Sequence, residues 1–332
     1  MTETMNGQGA EVHFAVFENF NFGEPINSID ISNDGIHLAA VSNHTLSLLN
    51  LLENKLSKIP LTARKNANAA KFNQDGDSLF ITAEKPNVNF VLYDIEKSIA
   101  ETVFQTTCPV NNISVGKSKS LLATSSSNNI INLWDDRTCR STLWNKMYGS
   151  GVVKLYPRCN CLLAVNDFGI SLYDLRKFAF GPHTTYIYPG HYDVNSCIDV
   201  SCDESKFFAT SVKNTVDLFS TDAATPVLEY INDMDFQKVQ LHAGFDKYSS
   251  AIFIGNAAGG LDVYDCLKNK FKYEFPQPTC TGPVQHLAVN PVFMSICTTL
   301  GNLLHIWKSN ENLLPYDDED TKTDPLETNI VV

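Results

Sequence analysis

Long apolar runs are missing from this chain of 332 residues. No segment approaches the roughly 18 apolar residues that a helix needs to span a bilayer. The first residues show neither the basic start nor the apolar stretch of a secretory signal peptide. We therefore expect a soluble, intracellular protein that does not bind membranes.

Dense cysteine is absent, and the spacing of the cysteines shows no disulfide framework. The nine cysteines are scattered from Cys108 to Cys297, whereas small secreted domains concentrate theirs in a short chain. The closest pair, Cys159 and Cys161, has no second pair at the spacing of zinc ligands. The sequence predicts free thiols, no metal site and no cofactor.

Positive charge is in deficit, with 25 Lys and Arg against 37 Asp and Glu and a formal net charge of −12. Half of this excess lies in the tail from residue 309 to residue 332, and the rest of the chain is still acidic. Binding to a phosphate backbone needs clustered Lys and Arg. We expect no direct contact with nucleic acid.

The usual catalytic motifs are also missing. The chain has no HExxH, no GxSxG, no GxxxxGK and no dinucleotide-binding fingerprint, and its eight histidines are dispersed. The glycine-rich segment "GNAAGG" has its glycines at the wrong offsets for a phosphate loop. We therefore predict a protein that is not an enzyme, without catalytic residues or a small-molecule substrate.

What the chain does contain is a short recurring motif. Each copy has two or three β-type residues, a large hydrophobe and usually a polar or acidic residue, as in "INLWD" and "ISLYD". The large hydrophobes are spaced by 44, 41, 39, 46, 45 and 43 residues and are Leu49, Tyr93, Trp134, Tyr173, Phe219, Tyr264 and Trp307. WD repeats, each one blade of a β-propeller, have this period of about 40–45 residues.

The order of segments within a unit is also constant. An alternating strand, a polar turn, a strand rich in small residues, the motif strand and a more polar outer strand follow one another. The last unit lacks its outer strand, and the alternating segment 12–18 belongs to no unit. We predict an all-β fold, a single seven-bladed WD-repeat β-propeller over residues 12–308 that the N-terminal strand closes. A flexible N-terminus (1–11) and an acidic disordered tail (309–332) flank it.

The polar residues that stiffen WD-repeat blades are mostly replaced. A Gly-His pair occurs in suitable position only at Gly190-His191, and Trp-Asp occurs only at Trp134-Asp135. Asparagines replace the usual acid before several motif strands, at Asn43, Asn129 and Asn214. Hydrophobic packing between blades is therefore predicted to carry the stability.

Paired motifs in two neighbouring units suggest a binding surface. "WDDR" places Arg137 after Trp134 and Asp135, and "YDLR" places Arg176 after Tyr173 and Asp174. Each Arg lies just past its motif strand, so two guanidinium groups are expected on one rim, where they can bind a partner's carboxylates or carbonyls. Alternatively, each Arg pairs with the Asp of its own motif.

The segment "KFAFGP" follows the second of these motifs. Phe178 and Phe180 share a face if the segment is extended. Burying a Phe side chain is worth about 1.5–3 kcal/mol, so exposing both is costly. They either pack under their own blade or form part of a partner pocket.

Three stretches carry a resemblance to one WD-repeat family. They are "INSIDISNDG" in the first unit, "GVVKLYPRCNCLLAVNDFGISLYDLRKFAFGPHTTY" in the fourth and "TGPVQHLAVNPVFMSICTT" in the seventh. Together they resemble the Swd-two type chromatin adaptor that COMPASS-type histone methyltransferases and a nuclear protein phosphatase-1 complex share. The family pattern LYDLR-x-F-x-x-GPF matches residues 172–182, with His183 in place of the last Phe.

The resemblance implies a non-catalytic subunit of the nucleus. Its partners would be subunits of a histone H3 lysine-4 methyltransferase, a phosphatase-targeting subunit and the C-terminal domain of transcribing RNA polymerase II. The family also takes part in transcription termination. The alternative is a substrate receptor of a cullin-type ubiquitin ligase, because the paired motifs around Arg137 and Arg176 also resemble the docking signature for that ligase's adaptor.

Overall fold

The computed structural model of the protein describes residues 14–61, 67–83, 89–116, 120–135, 137, 140–146, 151–158, 160–166, 168–187, 197–211, 215–221, 226–231, 241–266, 270–276 and 282–309. These residues form seven four-stranded sheets. Within each sheet, neighbouring strands are antiparallel, and six of the sheets are continuous in sequence. The predicted all-β, seven-bladed propeller is confirmed.

The first four blades run through the chain in order. Blade 1 contains β2 (Ile26–Ile31), β3 (His37–Ser42), β4 (Thr45–Asn50) and β5 (Lys55–Pro60). Blade 2 contains β6 (Ala67–Phe72), β7 (Ser78–Ala83), β8 (Phe90–Asp94) and β9 (Ile99–Phe104). Blade 3 contains β10 (Val110–Val115), β11 (Leu121–Ser126), β12 (Ile130–Asp135) and β13 (Arg140–Lys146). Blade 4 contains β14 (Val152–Leu155), β15 (Cys161–Asn166), β16 (Gly169–Asp174) and β17 (Thr184–Ile187).

The remaining three blades complete the ring. Blade 5 contains β18 (Ile198–Val200), β19 (Lys206–Thr210), β20 (Thr215–Ser220) and β21 (Pro226–Ile231). Blade 6 contains β22 (Ala243–Phe245), β23 (Ala251–Gly255), β24 (Leu261–Asp265) and β25 (Lys270–Phe275). Blade 7 contains β26 (His286–Val289), β27 (Ser295–Leu300), β28 (Leu303–Ser309) and, as its outer strand, β1 (Phe14–Asn21).

The ring closes at blade 7, where the two ends of the propeller meet. β1 pairs antiparallel with β28, from Phe14 opposite Ser309 to Asn21 opposite Leu303. The innermost strand of each blade contacts that of the next, and β26 contacts β2. The predicted closure by the N-terminal strand is confirmed, although the strand extends beyond the predicted 12–18 to Asn21. The predicted N-terminus (1–11) and residues 310–332 of the acidic tail lie outside the described residues.

Burial along the strands follows the predicted gradient. The second and motif strands are largely buried, as in β3 and β16, whereas the outer strand β5 is mostly exposed. Apolar side chains form clusters that join neighbouring blades, for example Val41 and Leu48 of blade 1 with Ile81 and Val91 of blade 2. Blade-to-blade contact of this kind favours the packing-dominated stability that the sequence predicts.

The polar bonds typical of such blades are found where tryptophan fills the motif position. The indole N–H of Trp134 donates to Thr124 Oγ1 at 2.9 Å, and that of Trp307 donates to Thr298 Oγ1 at 2.9 Å. The remaining motif positions have Leu, Phe or Tyr instead. Gly190-His191 and Asn214 lie outside the described residues.

The cysteines that the structure describes are free thiols, namely Cys108, Cys161, Cys197, Cys202, Cys266 and Cys297. Cys159 lies outside the described residues. Within the described ranges, no group of three or more His, Cys, Asp or Glu side chains could hold a metal ion. No helix in the same ranges is long and apolar enough to cross a membrane.

Candidate functional site

The antiparallel blades divide the loops between two sides of the ring. The connections after the first and third strands of a blade emerge on one side, which we name the exit side. The connections after the second and fourth strands emerge on the opposite side, the linker side. The motifs around Arg137 and Arg176 end the third strands of blades 3 and 4, so both lie on the exit side.

Trp134 and Tyr173 lie inside the propeller. Trp134 is buried and meets the rings of Phe90 and Phe104 of blade 2 edge-on, with ring centroids 5.3 and 5.8 Å away. Tyr173 is also buried, and burial raises the pKa of its hydroxyl to about 12. Both aromatic rings pack the blades together, and their burial removes them from the surface that a partner can reach.

The two Asp-Arg pairs have the same geometry. Arg137 donates from Nε to Asp135 Oδ1 at 3.1 Å and from Nη2 to Asp135 Oδ2 at 2.8 Å. Arg176 does the same to Asp174 at 3.0 and 2.7 Å. Of the two alternatives for these arginines, local pairing is the one observed.

Local pairing leaves the guanidinium groups on the surface. The side chains of Arg137 and Arg176 are 74% and 82% exposed. The side-chain hydrogen bond from Arg176, with its backbone N–H, lowers the pKa of Asp174 to about 2. Each Asp-Arg pair therefore presents a nearly neutral polar group on the surface of the exit side.

A short 3₁₀ helix, the exit helix (Leu175–Phe180), continues from the motif strand of blade 4. The Asp174 carboxylate caps it by accepting from the backbone N–H of Arg176 at 2.9 Å. It ends at Gly181, which has φ of 95°, a conformation that glycine adopts readily. The Gly181 N–H donates to the carbonyl of Phe178 at 3.2 Å, and the His183 N–H donates to that of Leu172 at 2.7 Å.

The exit helix separates the two phenylalanines. Phe178 is 1% exposed and packs on the Tyr173 ring with centroids 5.4 Å apart, whereas Phe180 is 92% exposed. The condition for a shared face, an extended segment, is not met, because the chain forms 3₁₀ turns here with a break in the helical dihedral angles at Lys177. One Phe therefore packs under the blade, and the other faces solvent.

The exit helix also reaches the neighbouring blade. It contacts β13, the outer strand of blade 3. Phe178 joins an apolar cluster with Ile131 and Leu133 of blade 3 and Leu162 of blade 4. The loop that contains it covers residues 175–183, whereas the corresponding connections of blades 1 and 2 cover only 51–54 and 95–98. Its extra length supplies both a buried contact and an exposed phenylalanine.

Sequence reasoning missed the lining of the central cavity, which has a volume of about 1220 Å³. Charged side chains project into it from inner strands and pair between adjacent blades. Lys71 binds Asp30 with Nζ and Oδ1 2.7 Å apart, and Lys154 binds Asp199 with the same two atoms 2.8 Å apart. Each of the four is the second-to-last residue of its inner strand. An alignment of the repeats can therefore reveal this position from the sequence.

Comparison with known families finds a match to a repeat family. The family model described as WD domain, G-beta repeat, matches residues 100–135. This stretch begins in the outer strand of blade 2 and ends with the motif strand of blade 3, at Asp135. The chain thus contains a WD repeat within a WD-repeat-type β-propeller, an architecture that generally serves as a non-catalytic scaffold for protein interactions.

Proposed function

We propose that the protein is a non-catalytic adaptor of the nucleus that links a chromatin-modifying complex to transcribing RNA polymerase II. The complex is a COMPASS-type histone H3 lysine-4 methyltransferase, a nuclear phosphatase and transcription-termination complex, or both. The resemblance of blades 1, 4 and 7 to the Swd-two type adaptors supports this choice of partners. The acidic net charge of −12 favours contact through proteins, without direct binding of nucleic acid.

The observation that carries the proposal is the position of Phe180. Its ring is 92% exposed next to Gly181, on a helix that Phe178 fixes to blades 3 and 4. An exposed aromatic ring on a backbone that is fixed in place can insert into a pocket of a partner protein. Aromatic residues contribute much of the binding energy at many protein interfaces. The adaptor is thus proposed to bind its methyltransferase or phosphatase-targeting partner through this ring.

Affinity purification of the tagged full chain from nuclear extract, with quantitative mass spectrometry, tests the proposal. Three proteins are compared: the wild type, Phe180→Ser, and the double variant Arg137→Ala with Arg176→Ala. We expect the wild type to recover methyltransferase, phosphatase-targeting or termination subunits and Phe180→Ser to lose at least one of these sets. Full recovery by Phe180→Ser would contradict the assignment of the site.

The second candidate is a substrate receptor of a cullin-type ubiquitin ligase. The observation in its favour is the repeated geometry of the Asp135–Arg137 and Asp174–Arg176 pairs, both on the exit side of adjacent blades. In that case the wild type recovers cullin and its adaptor, and the double Arg variant loses them. The same purification therefore distinguishes the two functions, because each function predicts that a different variant loses its partners.

A further inference from the structure

Each blade ends in an outer strand that pairs with one neighbour among the strands that the structure describes. The other edge of such a strand can pair with another chain, and proteins commonly protect it with a bulge, a lysine or a proline. Five outer strands have a one-residue bulge, namely β1, β9, β13, β21 and β25. β5 has no bulge and contains Lys55, Lys58 and Pro60. Six of the seven outer edges are therefore protected against the addition of a strand.

β17 (Thr184–Ile187), the outer strand of blade 4, is the exception. It pairs with β16 without a register shift, and it contains neither a charged residue nor a proline. Its threonines, tyrosine and isoleucine all favour strands. Its length of four residues, about 13 Å, limits the pairing that it offers. β17 is thus the outer strand whose composition best permits the addition of another strand.

The propeller holds β17 in place through one of its faces. Tyr186 is buried, and its ring centroid lies 5.6 Å from that of Phe207 and 5.4 Å from that of Phe219, both in blade 5. The Tyr186 hydroxyl donates to the Thr221 carbonyl at 3.4 Å. A strand that is already ordered loses little conformational entropy when a partner binds it. The edge of β17 is therefore preorganised for pairing.

The opposite face of β17 is exposed. Thr185 and Ile187 share this face, since residues two apart in a strand point the same way. Ile187 is 69% exposed, and the residue opposite it on β16 is Gly169, which has no side chain. Cross-strand side-chain pairs stabilise antiparallel strands. An added strand with an apolar residue beside Ile187 would supply the pair that β16 does not.

The small size of this edge favours a flexible segment over a second copy of the chain. Two propellers that met at β17 would pair over about 13 Å, and a specific interface buries roughly 1,000 Å² or more. An extended segment can pair with the same four residues and continue along the surface at either end. The edge has no charge for an ionic partner to meet, so the pairing segment is expected to be uncharged.

We propose that β17 binds an extended, uncharged segment of a partner protein, which adds to blade 4 as a fifth strand. The segment would pair through its main chain and place a β-branched or aromatic residue beside Ile187. This interface goes beyond the proposed adaptor function and does not depend on a contact at Phe180.

Selection from a phage-displayed library of random dodecapeptides tests this interface. The full-length wild type is the target, and phage that bind Ile187→Lys are removed first. Lysine is a natural protection of strand edges, and a substitution at an exposed position changes stability little. Enriched peptides are synthesised, and their dissociation constants are measured by fluorescence polarisation.

The proteins compared are the wild type, Ile187→Lys, Thr185→Lys, Val103→Lys and Phe180→Ser. Thr185→Lys takes no part in the selection, so it tests the edge independently. Val103→Lys is the matched control, because Val103 is 50% exposed on β9, the outer strand of blade 2. Phe180→Ser distinguishes this interface from the one proposed at the exit helix.

The expected result is a set of uncharged peptides whose dissociation constants rise roughly tenfold or more in Thr185→Lys and Ile187→Lys. Their binding to Val103→Lys and Phe180→Ser should be unchanged. N-methylation of single peptide amides should weaken binding at every second position, because alternate N–H groups of a strand point to the same neighbour.

Three results would overturn the inference on the peptide side: no enriched peptide, equal binding to Thr185→Lys and the wild type, or an N-methylation profile without alternation. Light scattering examines the second copy as the occupant. A dimer of the wild type that Ile187→Lys dissociates would assign the edge to another copy of this chain and would also overturn the proposal. A loss of binding in Phe180→Ser as large as in Thr185→Lys would show that the two interfaces are not separate.

Discussion

His242 and His286 occupy equivalent positions at the inner strands of blades 6 and 7. Their ring centroids are 5.1 Å apart, and His286 Nε2 donates to the Ile26 carbonyl at 3.1 Å. Burial, with the nearby charge of Lys71, lowers the pKa of His286 from 6.5 to about 4 against the effect of that hydrogen bond. Burial and the His286 ring lower the pKa of His242 to about 3.

These shifts predict that the propeller loses stability in mild acid. A histidine with a lowered folded pKa is neutral when folded, while the unfolded chain takes up its proton below about pH 6.5. The contribution of these two histidines to the unfolding free energy should be constant above this pH and should fall between pH 6.5 and 4. We expect a decrease on the order of 2 kcal/mol from His286, less than a fully buried group would give because the cavity admits water.

Urea unfolding of the wild type and His286→Gln at several pH values measures this effect. Glutamine keeps an N–H donor for the Ile26 carbonyl but does not titrate. The variant should show a shallower decrease in unfolding free energy between pH 6.5 and 4. Equal slopes for the two proteins would show that His286 does not contribute.

At the scale of elements, the exit helix contains two phenylalanines with different roles. Phe178 is buried between blades, and Phe180 faces solvent. Phe178→Ala should lower the unfolding free energy by about 3–5 kcal/mol, because it leaves a cavity between blades 3 and 4. Phe180→Ser should change it by less than about 0.5 kcal/mol, because the ring faces solvent. Urea denaturation followed by tryptophan fluorescence compares them, and equal losses would contradict the described helix.

The exit helix is also an element that could not be predicted from the sequence, in contrast to the blades. The spacing of the motif hydrophobes predicts the blades, because every blade must bury one large side chain at the same place. The same reasoning could not predict a 3₁₀ helix after Asp174, since this depends on a cap and on a turn at Gly181. The paired cavity charges come together only when neighbouring repeats pack in the ring, so a single repeat does not reveal them, although an alignment of the repeats can.

At the scale of the whole molecule, closure by β1 protects the edge of β28. Without β1, the strand that carries Trp307 would present unpaired backbone groups, which favour aggregation. Deletion of residues 1–21 should lower the unfolding free energy by more than about 4 kcal/mol, beyond a typical single substitution. Deletion of residues 1–11 alone, the matched control, should leave it unchanged.

Size-exclusion chromatography with light scattering and urea unfolding measure both effects of the deletion. We expect the protein without residues 1–21 to form aggregates and the control to remain in its original state. A deletion protein with the same mass and the same unfolding transition as the full chain would show that the ring does not need β1.

At the scale of the whole molecule, the proposed adaptor function depends on contact between Phe180 and a partner protein. The most direct test replaces Phe180 with the photo-crosslinking amino acid p-benzoylphenylalanine in the full chain, in cells. Position 168 serves as the control, because Phe168 is exposed on the linker side of the same blade. Irradiation at position 180, and not at 168, should link the protein to a methyltransferase, phosphatase-targeting or termination subunit. A cross-link from position 180 only to a cullin adaptor, or none while those complexes still co-purify, would contradict the account.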